Sequence, residues 1–95
     1  MSGSDKKEEK QKKAVALKYG EEDAVPKVTA KGKGWLAEKI LEVAKEHDLP
    51  IRTDEDLVEI LEQVDLNQEI PLEVYAVVAE IFAYIYRVNN EKKNG

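Results

Sequence analysis

Between Val74 and Tyr86 every residue except Glu80 is apolar or aromatic. Pro71 suits the first position of a helix there, and Glu73 sits favourably near its positive end. Val74, Val77, Val78, Ile81, Phe82, Ile85 and Val88 recur at helical spacing, and Tyr75, Tyr84 and Tyr86 widen the surface until no broad polar face is left. Glu80 and Arg87 interrupt the run, and it is too short to cross a bilayer comfortably. In water such a helix must be covered by the rest of the chain. One small sheet covers one side, so the other side, or a groove near Val25–Pro26, is expected to meet a partner.

The covering elements are legible upstream. Ala14-Val-Ala-Leu-Lys-Tyr19 is short, apolar and bounded by Gly20, which predicts a strand. Pro26-Lys-Val-Thr-Ala-Lys31 predicts a second, with Pro26 at its start, where a missing N–H is tolerable. From Trp35 to His47 the period becomes helical, with Leu36, Ile40, Val43 and Ala44 on one face. Leu49–Thr53 reads as a third strand. Thr53, with Asp56 three residues on, resembles a capping box for a helix carrying Leu57, Val58, Ile60, Leu61 and Val64. The expected fold class is α+β: a small mixed β-sheet, in the order β-β-α-β-α-α, packed with helices. Residues 1–13 hold five Lys and three acidic residues and no apolar one after Met1, so a disordered charged tail is expected there. The folded domain is expected over 14–88, with a flexible tail over 89–95.

Fifteen basic residues against twenty acidic ones leave a net charge of −5, which argues against a nucleic-acid binder. With no Cys, thiolate metal sites, disulfides and Cys nucleophiles are excluded; His47, the one His, cannot build an acid–base pair of imidazoles. Neither an enzyme nor a cofactor is expected. The hydrophilic N-terminus lacks the apolar stretch of a secretory signal, so a cytoplasmic protein is expected, meeting membranes only through partners.

Two motifs invite sharper readings. Gly32-Lys33-Gly34-Trp35-Leu36-Ala37 formally satisfies the dinucleotide fingerprint G-x-G-x-x-A between a strand and a helix, and Asp54 follows the next strand. The alternative function is thus a small nucleotide-binding regulatory domain using the Gly32-Lys33-Gly34 loop. The plainer reading is a sharp turn from strand into helix, favoured because the chain is too short for the usual dinucleotide fold. His47, between Glu46 and Asp48, reads as a solvated residue at a helix C-terminus.

Taken together, Ala14-Val-Ala-Leu-Lys-Tyr19, Val25-Pro-Lys-Val-Thr-Ala-Lys-Gly-Lys-Gly34, Leu49-Pro-Ile51, Gln68-Glu-Ile-Pro71 and Tyr75-Ala-Val-Val-Ala-Glu80 resemble the cytoplasmic domain of the FlhB/YscU export-switch proteins of flagellar and type III secretion systems. The blocks stand in the family's order over residues 14–88. The resemblance implies a stand-alone domain of that kind, with export-gate components and export substrates as partners, acting as a monomer in isolation. It also implies an apolar groove for a short apolar substrate motif, at positions matching Val25, Pro26, Ala79 and Phe82; Phe82 is broad enough to line the groove or to fill it. Family members carry a strand before Ala14–Tyr19, and the hydrophilic Lys6–Lys13 offers no apolar alternation to replace it, so an open strand edge is expected.

Two further departures bear on function. The family cleaves itself at an Asn-Pro-Thr-His motif, where the Asn side-chain amide attacks its own backbone carbonyl; the matching positions here are Glu9, Lys10, Gln11 and Lys12. The family's Pro-Pro-Leu-Ala-Arg-Ala-Leu-Tyr becomes Glu55-Asp-Leu-Val-Glu-Ile-Leu-Glu62, which keeps Leu57 and Leu61 but turns the Arg and Tyr into Glu59 and Glu62. The chain is therefore expected to stay intact. Intact-mass spectrometry after long incubation at neutral pH should show a single species; a discrete break before Lys10 would overturn this.

Overall fold

Antiparallel pairing sets Ala14 opposite Gly32 and Ala16 opposite Ala30, which gathers the hairpin's small residues on one face. Lys13, Val15 and Leu17 point to the other face, together with Lys31 and Lys33. The computed structural model describes residues 11–20 and 24–94. In it, β1 (Lys13–Lys18) and β2 (Lys27–Lys33) form a two-stranded antiparallel sheet. Three helices follow: α1 (Trp35–Glu46), α2 (Glu55–Leu61) and α3 (Leu72–Asn94). The expected tail over 1–13 lies, as far as residue 10, outside the described residues, and Lys13 already belongs to β1. At the other end the helical backbone of α3 continues to Asn94.

The two faces take different helices. α1 lies over the small residues, close enough that a Cβ on Gly32 would come within 2.8 Å of the Leu36 Cβ. Gly34, at φ 58°, turns the chain from β2 into α1, and its N–H donates to the Lys12 carbonyl at 2.7 Å. Of the face expected to be buried on α1, Leu36 and Val43 remain largely exposed, and Ala37 is the helix's buried residue. A strip two strands wide covers only a narrow line of the helix. α2 and α3 pack on the opposite face, where Val28, Leu61, Ile70, Val74 and Val78 form the buried core and Val15, Leu17, Leu57 and Phe82 lean on it.

The fold class stands, but the third strand does not. Residues 49–54 form no strand, and Leu49 and Ile51 are exposed. α1 closes in a turn with Asp48 left-handed at φ 56°, Asp48 N–H donating to Lys45 O and Leu49 N–H to Ala44 O. This termination sends the chain away without a strand neighbour, and Pro50 removes a donor that a ladder would use. The outer edge of β2 is met instead by residues 67–70. Val28 N–H donates to Gln68 O (3.0 Å), Asn67 N–H to Val28 O (2.6 Å) and Ile70 N–H to Pro26 O (3.0 Å). No βαβ unit forms.

The capping residue also shifts by one. Asp54, not Thr53, is the N-cap of α2, its Oδ1 accepting from Leu57 N–H at 3.1 Å. Pro71 stands immediately before α3, its carbonyl accepting from Val74 N–H. At the far end of α2, the Lys31 ammonium donates to Glu62 O (3.0 Å) and Val64 O (2.8 Å), satisfying carbonyls the helix leaves free.

Two substitutions test this account. Gly32→Ala should destabilise by about 1–3 kcal/mol through overpacking against Leu36. Asp48→Gly should stabilise by about 1 kcal/mol by relieving the left-handed conformation. Urea unfolding measures both; opposite signs would refute the packing and the helix termination respectively.

Candidate functional site

The hairpin pairing ends with Leu17 opposite Val28 and Lys18 opposite Lys27, and Tyr19 and Pro26 are the residues that flank this open end. Pro26 is fully buried, and its carbonyl is held by Ile70 of the core. Val25 and Phe82 are half-buried and pack on the same core cluster. Ala79, also half-buried, lies one turn from both Tyr75 and Phe82 on the same flank of α3. Val25 and Phe82 thus border the same core, with Pro26 buried next to Val25 in sequence and Ala79 one turn from Phe82 on the helix.

Two residues that sequence reasoning left out of the groove complete this region. Tyr19 sets its ring against Phe82, with centroids 5.3 Å apart and planes tilted by 59°. The neighbouring Tyr75 hydroxyl is the main reason the Tyr19 pKa rises above the usual phenol value; the Tyr75 charge and burial add to it. Tyr75 and Phe82 are two turns apart with Ala79 between, so Tyr19 spans the flank from one to the other. The signal was present: an aromatic residue ends an apolar strand. Only the packing of α3 beside the hairpin gives it meaning.

The glycine loop behaves as a structural turn. Gly34's N–H is already taken by Lys12 O, Gly32 is needed for the approach of Leu36, and the Lys33 ammonium lies 3.6 Å from Glu62. Nothing in the loop's geometry supports the nucleotide reading. His47 is exposed and caps the C-terminus of α1, its N–H donating to Val43 O. Glu59 and Glu62 are tied to the sheet: Lys13 lies 2.7 Å from Glu59 and 2.8 Å from Glu62. Two open depressions lie away from the groove residues, one of about 490 Å³ beside Trp35 and Lys39, the other of about 440 Å³ between Ile60 and Pro71. Among the described residues no group of carboxylates and imidazoles is arranged to hold a metal ion, and no helix is long and apolar enough to cross a membrane.

Comparison with known proteins agrees with this fold. The profile of the family described as FlhB HrpN YscU SpaS matches residues 11–85. YlqH of Bacillus subtilis is 43% identical over 84 residues, covering 87% of this chain and 90% of that protein. The flagellar biosynthetic protein FlhB of Helicobacter pylori is 42% identical over 81 residues, covering 84% of this chain; the chain spans only 23% of that relative's length. Among solved structures, the cytoplasmic domain of FlhB from Shewanella putrefaciens superposes with a TM-score of 0.79 at 34% identity, covering 86% of this chain and 69% of that one. The EscU C-terminal domain carrying the Y316D mutation superposes at 0.72 and 26% identity, over 76% of this chain and 89% of that one.

The Tyr19–Tyr75 pair has a pH signature. A raised folded-state pKa contributes stability that is complete below the free phenol's pKa and disappears as pH rises through the folded value. Alkaline titration followed by tyrosinate absorbance should show one tyrosine ionising late, and Tyr75→Phe should bring it back among the others. Identical titrations in the two proteins would refute the pairing.

Proposed function

The chain belongs to the FlhB HrpN YscU SpaS family, and from that membership we propose that it is a non-cleaving, FlhB-like accessory protein of flagellar or type III protein export. It docks at the export gate from the cytoplasm, reaches the membrane only through its partners, and assists substrate recruitment or specificity switching. It works by binding, not by catalysis, and is a monomer until it meets the gate.

One observation carries this reading: Val25 and Phe82, far apart in sequence, both pack on the Val28 core, with buried Pro26 following Val25 and half-buried Ala79 one turn from Phe82. Rigid, small and broad apolar groups at one junction of hairpin and helix suit an extended apolar segment of a substrate. The sheet supplies a means of docking. β1 has β2 along one edge and no strand neighbour along the other among the described residues. Such an edge accepts a strand from a partner, whose main-chain groups supply affinity with little demand on sequence. The lysines at the start of β1 favour an acidic partner strand over a second copy of this one.

Purification of a tagged chain from its own cells tests the proposal, with bound proteins identified by mass spectrometry. Wild type should carry export-gate components and export substrates. Val25→Asp or Ala79→Asp should lose the substrates at least several-fold while retaining the gate components and a folded circular dichroism spectrum. Recovery of no gate component would overturn the function. Undiminished substrate binding by both folded variants would overturn the location of the groove.

A further inference from the structure

Where α2 gives way to α3, an apolar floor lies open to solvent. The depression of about 440 Å³ there is lined by Glu59 and Ile60 of α2, Gln63 and Val64 of the turn that follows, and Pro71 and Glu73 at the start of α3. Ile60 and Val64 pack on the core from outside and stay half-buried, as does Pro71. Leu72, between Pro71 and Glu73, is 85% exposed, and Leu66 is 51% exposed. Contiguous apolar surface of this kind marks a contact site.

The polar part of the lining carries one sign of charge. Glu59 stands on the α2 side and Glu73 on the α3 side, and no Lys or Arg is among the lining residues. Asp56 lies one turn before Ile60 on the same face of α2. The neighbouring lysines are committed elsewhere: Lys13 is shared between Glu59 and Glu62, Lys33 reaches Glu62, and Lys31 bonds carbonyls. The depression beside Trp35 is different, because its acids meet cations of the same chain, Glu38 with Lys12 at 3.9 Å and Glu42 with Lys39 at 3.7 Å. Of the two depressions, only the one between α2 and α3 presents acid without a cation in its lining.

We propose that this depression docks a basic segment of another protein, in which one apolar side chain is flanked by Lys or Arg. The apolar side chain sits on Ile60, Val64 and Pro71. The flanking cations lay their methylene stems along the exposed leucines and bring their charged ends to Glu59 and Glu73. A neutral apolar segment would leave the carboxylates with nothing to pair with, and an acidic one would be repelled. Two copies of this chain related by a two-fold axis would set the acidic rim against itself, so the occupant is a different protein. The site lies away from the groove of Val25 and Phe82 and does not depend on the function proposed above.

Three short peptides would be titrated by NMR into the full chain: a central Leu flanked by lysines, a central Ser flanked by lysines, and a central Leu flanked by glutamates. The first should bind and shift the resonances of Ile60, Val64 and Leu72. Ser in place of Leu should weaken binding about tenfold, the scale of one buried Leu side chain. The glutamate peptide should not bind. Glu59→Gln with Glu73→Gln should weaken the lysine–Leu peptide about fivefold, as expected for two exposed charge pairs. Glu42→Gln with Glu46→Gln removes the same charge from α1 and should change nothing. Equal weakening by the two double variants would overturn the site, since it would show attraction to an acidic protein at large. Equal binding of the Leu and Ser peptides, or no binding of the first peptide, would overturn it as well. Self-association of the chain that Glu73→Gln abolishes would do the same, by making the occupant a second copy. Should releasing Lys13 from Glu59 unfold the domain, Glu73→Gln alone should weaken binding about twofold, and an unchanged affinity would count against the site.

Discussion

Val28 holds the molecule together. Its side chain is completely buried among Leu61, Ile70, Val74 and Val78. Its backbone is used on the outer edge of β2 as well, donating to Gln68 and accepting from Asn67. A hairpin alone is marginal in water, since two strands bury too little. Here residues 67–70 are bonded against β2, which brings Ile70 into the core and aims α3 across it. The bulge between Ala16 and Leu17 leaves Thr29 as the extra residue, its hydroxyl bonded to Ala16 O. On either side of that bulge the two faces of the hairpin stay distinct, small residues for α1 and branched ones for the core.

Charge organises the outer part of the same face. Lys13, Lys31 and Lys33 converge on the end of α2, where Lys31 satisfies carbonyls and Lys13 and Lys33 bracket Glu62. The hydrogen bond from Lys13 holds the Glu62 carboxyl below the usual range, and the bonds to Glu59 and Glu62 push Lys13 above 10.5. The Glu62 contribution is present at neutral pH and lost as acid protonates it below about its ordinary value. The Lys13 contribution persists to strongly alkaline pH and is lost only as its raised pKa is passed. Lys13 and Glu62 are largely covered, while Glu59 and Lys33 are more than half exposed, so the outer pairs orient α2 more than they stabilise it. Glu59 and Glu62 stand where the family's pattern has Arg and Tyr. Both are paired with lysines of the hairpin there, Glu59 with Lys13, and Glu62 with Lys13 and Lys33.

The candidate groove depends on both arrangements. The Val28 core sets α3 beside the hairpin's open end, and the hairpin register brings Tyr19 over Phe82. On its other side α3 leaves Val77, Tyr84 and Tyr86 exposed, consistent with a helix that the small domain covers only in part.

Much of this was written in the sequence by itself. The alternation of Lys13 to Leu17, the helical period of Trp35–His47 and the long apolar run after Pro71 each determine a local conformation, because strand and helix periods depend only on neighbouring residues. Four candidate groove residues, Val25, Pro26, Ala79 and Phe82, came only from the resemblance of whole blocks to a known family, not from any local pattern. Leu49–Thr53 was misleading because its composition suits a strand, yet a strand exists only where another can hydrogen-bond to it, and that place beside β2 went to residues 67–70. The cap at Asp54 in place of Thr53, the ties of Glu59 and Glu62 to lysines, and the seat of the Tyr19 ring on Phe82 likewise had no local signal that settled them. Which backbone edges meet, and which side chains close over them, is decided by contacts between residues distant along the chain, and these exist only once the hairpin and α3 have packed around Val28.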